Sequence, residues 1–540
     1  METLTNTRSK HYERPEILGI LLKRVNALKN NYRQNIAIIG YQSLGKTALI
    51  FELLKRCRGN DIVPAYIGIK PQPIEQFAKN FIGVLLYQYL SSEQQQVEDD
   101  FEFLISTCKT KIPKTVNAVI QTIAAMDKQT SEDETYSALL ELPYILYEEG
   151  KKPVVLILDE FHHLDNMGLR NPFLELSNKI MVQKHTMYIL VSSALYAAQN
   201  ILSKKLSLLF GNFETIMIHP FDNINAKRFA EKELDNFEID EVLVNFLTYF
   251  TGGYPFYLDV IIEQIKCACL DNNTKTITEK ILIESLEECM HKNHGKLNQY
   301  FQNKYHAFLS TNSNNLYPAV LPAIAGGRKK LSQISSFLNK KTHEINRLLA
   351  KLIQTDIITK KGVFHYINDP LFVHWLKYVL CRQQNSFNMD IYGAADKFGT
   401  EVKKLIDEFI SESQKKIEQR LKELFESFEN DIIELDNKRF MLTRFDEVVI
   451  SNGNNSSLIN AKRLNKSWLC GIEKDYIDEI KINDFLSQAK RRDCIKKILI
   501  ALEGIDVNAR LKALDAKVWV WDQKILNDMF FLFERPRFIK

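Results

Sequence analysis

The chain has 540 residues, 45% of them hydrophobic and 26% charged. That balance excludes collagen-like, largely disordered and disulfide-dense proteins and, at roughly 150 residues per domain, leads us to expect three or four domains. A net charge of +4 is too small to select a partner, and the eight cysteines form no Cys-x-x-Cys pair, so neither a zinc site nor a disulfide framework is indicated. The amino terminus is polar and no run of 18 apolar residues occurs, so we expect no membrane span and a cytoplasmic protein.

The first informative stretch is NIAIIGYQSLGKTALIFELLKR, an apolar run from Ile36 to Ile39, a glycine turn and a helix-forming segment. It carries Gly-x-x-x-x-Gly-Lys-Thr over Gly40, Tyr41, Gln42, Ser43, Leu44, Gly45, Lys46 and Thr47, followed by Ala48. Two glycines let the main chain approach a phosphate closely, so that successive N–H groups and a helix amino terminus surround it. Lys46 is expected on the β- and γ-phosphates of ATP and Thr47 on Mg²⁺. A chance match in a surface loop is the alternative, which the strand before it and the helix after it disfavour.

A second apolar run, Val154 to Leu158, ends in Asp159 and Glu160. A wholly apolar strand is covered on both faces, as in a parallel α/β sheet. Asp159 is expected on Mg²⁺ and Glu160 on the attacking water, since ligands of such sheets lie beyond the carboxyl ends of the strands. His162 and His163 follow, but adjacent residues do not share a face, so no metal pair is expected of them. A third apolar strand, Met187 to Val191, ends in Ser192 and Ser193. A serine there suits either sensing of the γ-phosphate or capping of the next helix.

GYQSLGKT at 40–47, LDEFHHLD at 158–165 and VSSAL at 191–195 resemble, in kind and order, the STAND group of P-loop ATPases, specifically the family of ATPases found predominantly in archaea. Two further pieces agree. Arg14 and Glu16 precede a helix as in that family's opening segment, which in relatives lies near the adenine. Gly253, Tyr254 and Pro255 resemble the Gly-x-Pro signature that closes a helical lid on the nucleotide. Relatives often carry an arginine where this chain has Asn212, so the resemblance implies slow hydrolysis or a cation supplied by a neighbouring subunit in a homo-oligomer, with Arg170 the candidate in the same chain.

The segment 316–380 has ten Lys or Arg against three acids, so the basic character is local. LYPAVLPAIAGG, LSQISSFLN and THEINRLLAKLIQ read as three helices, and IITKKGVFHYI as a hairpin turning at Lys361-Gly362. Three helices and a hairpin make a winged helix-turn-helix. Lys341, His343, Asn346, Arg347 and Lys351 would face outward, with Lys360 and Lys361 on the wing, a surface suited to double-stranded DNA. A packing or autoinhibitory module with a merely solvated basic face is the alternative. Asp369, Pro370 and Trp375 resemble this module's ending in the archaeal family and imply a structural role.

Leu405, Phe409, Ile417, Leu421 and Leu424 mark the apolar side of a helical linker. Strands and helices then alternate in an order resembling the restriction-endonuclease-like domain of some archaeal-family ATPases. A working nuclease of that type needs a carboxylate and an acid-x-Lys pair. Asp446 is the candidate for the first, but Ile472 stands two before Lys474, and Glu473 points to the opposite strand face. A degenerate domain is therefore expected. The basic run Arg491, Arg492, Lys496 and Lys497 reads as a solvated face.

The sequence thus predicts an α/β protein: a P-loop core over 1–220 with a parallel sheet, a helical lid over 221–305, a winged helix over 306–385, a linker over 386–435 and a nuclease-like α/β domain over 436–540. Its expected function is an ATP- and Mg²⁺-dependent switch associated with nucleic acid, in defence or mobile-element biology. A protein-binding STAND switch without DNA and an ATP-controlled nuclease are the alternatives.

Overall fold

The three apolar runs become strands of one parallel sheet, joined by two strands the sequence did not announce. They are β1 (Asn35–Ile39), β2 (Val63–Gly68), β3 (Val154–Asp159), β4 (Thr186–Ser192) and β5 (Phe213–Met217), in the order β2-β3-β4-β1-β5. β1, β3 and β4 are buried along their whole length because helices cover both faces. The order places β4 between the glycine-loop strand β1 and the acidic strand β3, with Ile39 level with Ser192 and Asp159 level with Val191. Every chemical group at the strand ends therefore comes to one edge.

The computed structural model describes residues 14–536 except 58–60, 94–96, 128–130, 207–212, 311–314, 382–390, 436–437, 453–456, 465 and 493. Asn212 lies outside the described residues. The chain forms two compact units, one running to Pro220 and including Gln354–Asp356, the other comprising Phe221–Ile353 and the chain from Ile357. Among the described residues no helix is long and apolar enough to cross a membrane. All eight cysteines carry free thiols.

The second unit begins with helices Asn223–Glu233, Glu241–Thr251 and Pro255–Asp271, with the short parallel pair β6 (Glu238–Ile239) and β7 (Thr276–Ile277) beside them. Gly252 and Gly253 both have positive φ, at 63° and 74°, and the Phe221 N–H donates to the Gly253 carbonyl at 2.8 Å. A Cβ on Gly253 would overlap the Phe221 carbonyl, so the turn before Pro255 needs glycine on packing grounds alone. Further on come helices Tyr317–Ala325, Leu331–Leu338 and Thr342–Gln354 and the antiparallel hairpin of β8 (Ile358–Lys361) and β9 (Phe364–Ile367). Ile345, Leu348, Leu349 and Leu352 are buried along one side of Thr342–Gln354, as the spacing predicts.

His374, in helix Pro370–Trp375, stacks on Phe250 at 4.7 Å and on Tyr378 at 6.0 Å. Its Nδ1 is buried without a hydrogen-bond partner among the described residues. Burial pushes this imidazole down to about 4, so the folded chain resists protonating it while the unfolded chain protonates it from the usual value of 6.5. The neutral ring's contribution is therefore whole above pH 6.5 and is lost as pH falls toward 4, a change of about 2–3 kcal/mol. His374→Phe is expected to flatten that part of the stability profile, read by chemical unfolding at pH 4.5 and 7.

The carboxyl-terminal part holds a hairpin of β10 (Ile432–Leu435) and β11 (Lys438–Met441) and a second sheet. That sheet comprises β12 (Glu447–Asn452), β13 (Ser457–Arg463), β14 (Lys466–Glu473), β15 (Lys496–Ala501) and β16 (Val518–Asp522) in consecutive order. The first three strands are antiparallel and the last three parallel. Between β11 and β12 the chain leaves the extended ladder over residues 442–446. The hairpin β10–β11 also straddles the predicted 435/436 boundary.

The β8–β9 hairpin is seated on this carboxyl-terminal part. Gly362, with φ of 67°, lies so close to Ile432 that a Cβ would overlap its carbonyl, and the Val363 N–H donates to that carbonyl at 2.9 Å. Phe364 joins the core of Leu421, Phe425 and Phe428. Lys361 pairs with Asp528 at 3.3 Å, and Lys330 with Asp431 at 2.9 Å.

Candidate nucleotide site

The loop between β1 and helix Lys46–Cys57 is built from the conformations its glycines and one serine permit. Gly45 has φ of 81° and Ser43 of 66°, a left-handed value uncommon for a residue with a Cβ. Gly40 is needed for a different reason. A Cβ there would stand 2.5 Å from the Ile218 carbonyl oxygen, where the chain leaving β5 passes. The Arg14 guanidinium donates to the Leu44 carbonyl at 3.3 Å and to His219 at 2.7 Å. It holds the loop to the chain after β5.

Lys46 opens the helix and is buried at 6% exposure. Its ammonium donates to the carbonyls of Gly40 at 2.8 Å and Tyr41 at 2.7 Å, so the side chain folds back over the loop. Burial pushes its pKa down to about 8, with Glu160 and Asp159 opposing that shift. Leu44 is buried, Tyr41, Ser43 and Ala48 are half-buried, and Gln42 and Thr47 are exposed.

Asp159 ends β3 and is buried, and burial raises its pKa. Its Oδ2 lies 3.4 Å from the Thr47 hydroxyl and accepts from the Tyr66 hydroxyl at 2.7 Å, while Oδ1 accepts from the Glu160 N–H at 3.0 Å. A hydroxyl and a carboxylate oxygen in contact are the hard donors Mg²⁺ takes, with the remaining positions left to phosphate and water. Tyr66 was not anticipated. It belongs to β2, unannounced in the sequence, whose Gly68 pairs with Asp159.

Glu160 follows in left-handed conformation, φ 55° and ψ 41°, which turns the chain out of the strand into the short 3₁₀ helix Phe161–Asn166. Its Oε2 accepts from the Ser193 N–H at 2.8 Å. His162 Nδ1 lies 2.9 Å from the Ser192 hydroxyl and 3.4 Å from Glu160 Oε2. Burial pushes His162 down to about 4, so its ring is neutral at pH 7. Neither serine side chain caps the next helix, Leu195–Asn200. Arg170 is 88% exposed and lies 3.7 Å from Asp133 in a surface pair.

The remaining predicted residues belong to the second unit. Pro255 is buried as the first residue of helix Pro255–Asp271. His343, Asn346, Arg347 and Lys351 are exposed on Thr342–Gln354, Lys341 is exposed directly before it, and Lys360 is exposed on the hairpin. Lys361, half-buried on the same hairpin, pairs with Asp528 at 3.3 Å.

The register keeps the candidate residues Asp446 and Glu473 apart. Asp446 precedes β12 at the level where β13 ends and β14 begins, and its Oδ2 accepts from the Leu464 N–H at 3.1 Å, closing that turn. Glu473 ends β14 at the opposite edge, about 20 Å away at 3.3 Å per residue. Lys474 is paired with Glu418 at 3.2 Å. Asp446 therefore cannot complete a metal site with Glu473 and Lys474, and no three His, Cys, Asp or Glu side chains converge among the described residues.

No protein-family model and no curated protein sequence matches the chain. Among solved structures, it is similar to a Walker-type ATPase of Pyrococcus abyssi, at 16% identity over 68% of this chain and 97% of that one, with a TM-score of 0.48. It is similar to the Aeropyrum pernix ORC2 protein in its ADPNP-ADP complexes, at 13% identity over 72% of this chain and 95% of that one, with a TM-score of 0.41. It is also similar to the Thermotoga maritima RuvB Holliday junction branch migration motor, at 11% identity over 68% of this chain and 95% of that one, with a TM-score of 0.33. The reading of the site rests on its own residues: a Gly-x-x-x-x-Gly-Lys-Thr loop and an acidic strand end brought to one edge of a parallel sheet, the arrangement of a P-loop nucleotide-binding core.

Proposed function

We propose that the chain is an ATP-binding and ATP-hydrolysing molecular switch of STAND type that works with Mg²⁺. The observation that carries this reading is a meeting of four groups at one sheet edge. These are the buried Lys46 on its loop, the Thr47 and Asp159 oxygens 3.4 Å apart, and Glu160 held by the amide at the end of β4. Thr47 and Asp159 would hold Mg²⁺, which supplies charge neutralisation to the phosphates when bound. Lys46 and the loop amides take the phosphate charge, and Glu160 orients a water or accepts its proton. The expected result is ATP turnover that stops when a chelator removes the metal. Failure to bind ATP with Mg²⁺ present overturns the reading.

Contact with double-stranded DNA is the output we favour, because His343, Asn346, Arg347 and Lys351 lie exposed on one helix, with exposed Lys341 directly before it. In this reading the helix carries the phosphate contacts and Lys361, paired with Asp528, does not. Arg347→Ala with Lys351→Ala is expected to weaken binding alike on all sequences and to reduce the log–log salt slope by about two, roughly one for each phosphate no longer neutralised. Lys361→Ala should leave the slope unchanged. No DNA retention even at low salt would favour a protein-binding switch.

A further inference from the structure

Glu160 ends its strand in a left-handed conformation and bears a side chain with several rotamers, so its own backbone does not fix where the carboxylate points. Two groups constrain it. The Ser193 N–H takes Oε2 at 2.8 Å, and His162 Nδ1 lies 3.4 Å from the same oxygen. His162 is in turn held by the Ser192 hydroxyl at 2.9 Å. Ser192 is fully buried, and its Oγ also accepts from the Ala194 N–H at 3.1 Å and lies 3.3 Å from the Ala194 carbonyl.

The Ser192–His162 bond can run either way, according to the tautomer. An unprotonated Nδ1 would set its lone pair against the Glu160 carboxylate at 3.4 Å, which favours placing the proton on Nδ1. The Ser192 hydroxyl then donates to the Ala194 carbonyl and accepts from the Ala194 N–H and His162 Nδ1–H, which uses its donor and both lone pairs. His162 is thereby fixed by β4 and sets one side of the Glu160 carboxylate. Oε1 takes part in neither of these two contacts.

Resting on the hydrolytic reading above, we propose that His162 is a positioning residue that, through Nδ1–H, ties the water-activating Glu160 to Ser192 at the end of β4. The role is specific to one ring nitrogen. Asparagine at 162 can place an amide N–H near the Nδ1 position, whereas glutamine reaches the Nε2 position and alanine reaches neither.

The test compares His162→Ala, His162→Asn and His162→Gln with Glu160→Gln in the full chain, measuring ATP turnover, ATP affinity and thermal unfolding. Misdirecting a catalytic group costs roughly 10- to 100-fold in rate. The alanine and glutamine variants should lose that much kcat with ATP affinity within about twofold, while asparagine should stay within about threefold of wild type. Where alanine fails to fold, the asparagine and glutamine pair decides. Ring-nitrogen NMR of the unaltered protein should find the Nδ1–H tautomer of His162 at pH 7. An Nε2–H tautomer overturns the proposal, as does wild-type turnover in His162→Gln, or asparagine no better than glutamine. Turnover retained by Glu160→Gln would instead remove the water-activating role from Glu160, the part of the hydrolytic reading on which the proposal rests.

Discussion

Alanine at position 46 is expected to raise the Kd for ATP by at least about 100-fold while leaving the thermal unfolding of the chain nearly unchanged. The ammonium of Lys46 already spans the Gly40 and Tyr41 carbonyls from a buried position, so it is held over the loop at small further cost in side-chain entropy. Each charge-assisted hydrogen bond to a phosphate oxygen is worth about 1.5–3 kcal/mol, and two of them account for a hundredfold or more. Stability follows a different balance. Burial lowers the pKa of Lys46 to about 8, which means that the fold bears a cost to keep it charged at pH 7. A group that its own fold disfavours in the charged state is one kept for binding. Calorimetric titration with ATP and Mg²⁺ checks the first half and a melting curve the second. Undiminished affinity would remove Lys46 from the site.

The nucleotide loop and acidic strand were legible because each is a local pattern with a chemical reason. Gly45 needs a positive φ, and the burial of Val154 to Leu158 on both faces requires an unbroken apolar run. What the sequence did not disclose comes from pairing between distant strands. Nothing local to Tyr66 places its hydroxyl 2.7 Å from Asp159, because that contact depends on β2 lying beside β3. Nothing local to His162 and His163 tells which ring turns toward Ser192, a choice made by β4 lying next to β3. Gly40 is instructive in the same way. The motif reading attributes it to phosphate approach, whereas the nearest obstacle to a Cβ is the chain after β5.

Charge was legible as a composition but not as a surface. The segment 316–380 is basic, yet the acids that neutralise part of it lie a hundred or more residues onward. Asp431 takes Lys330, Asp528 takes Lys361 and Glu534 takes Lys329. The exposed side of Thr342–Gln354 lies opposite the four residues that the helix buries. The separation of Asp446 and Glu473 was hidden for a related reason. Alternating strands and helices can be read along the chain, but the distance from Asp446 to Glu473 is set by the antiparallel register of β12, β13 and β14.

Glutamine at position 160 should bind ATP about as well as wild type and lose roughly 100- to 1,000-fold in turnover. The substitution keeps the shape of the side chain and an oxygen able to accept from the Ser193 N–H, so the left-handed turn and the link to β4 persist. What disappears is the negative charge. A neutral amide neither takes a proton from water nor stabilises the positive charge that develops as the water attacks, and general-base contributions of this kind run from about 10² to 10⁴. Asp159 does not substitute for it. Its two oxygens are engaged by Tyr66, Thr47 and the Glu160 N–H. Single-turnover measurement separates the two steps: a normal binding amplitude followed by slow phosphate release is the expected trace. Unchanged release would transfer the water-activating role away from Glu160, and a lost binding amplitude would mean that its charge serves to hold the metal.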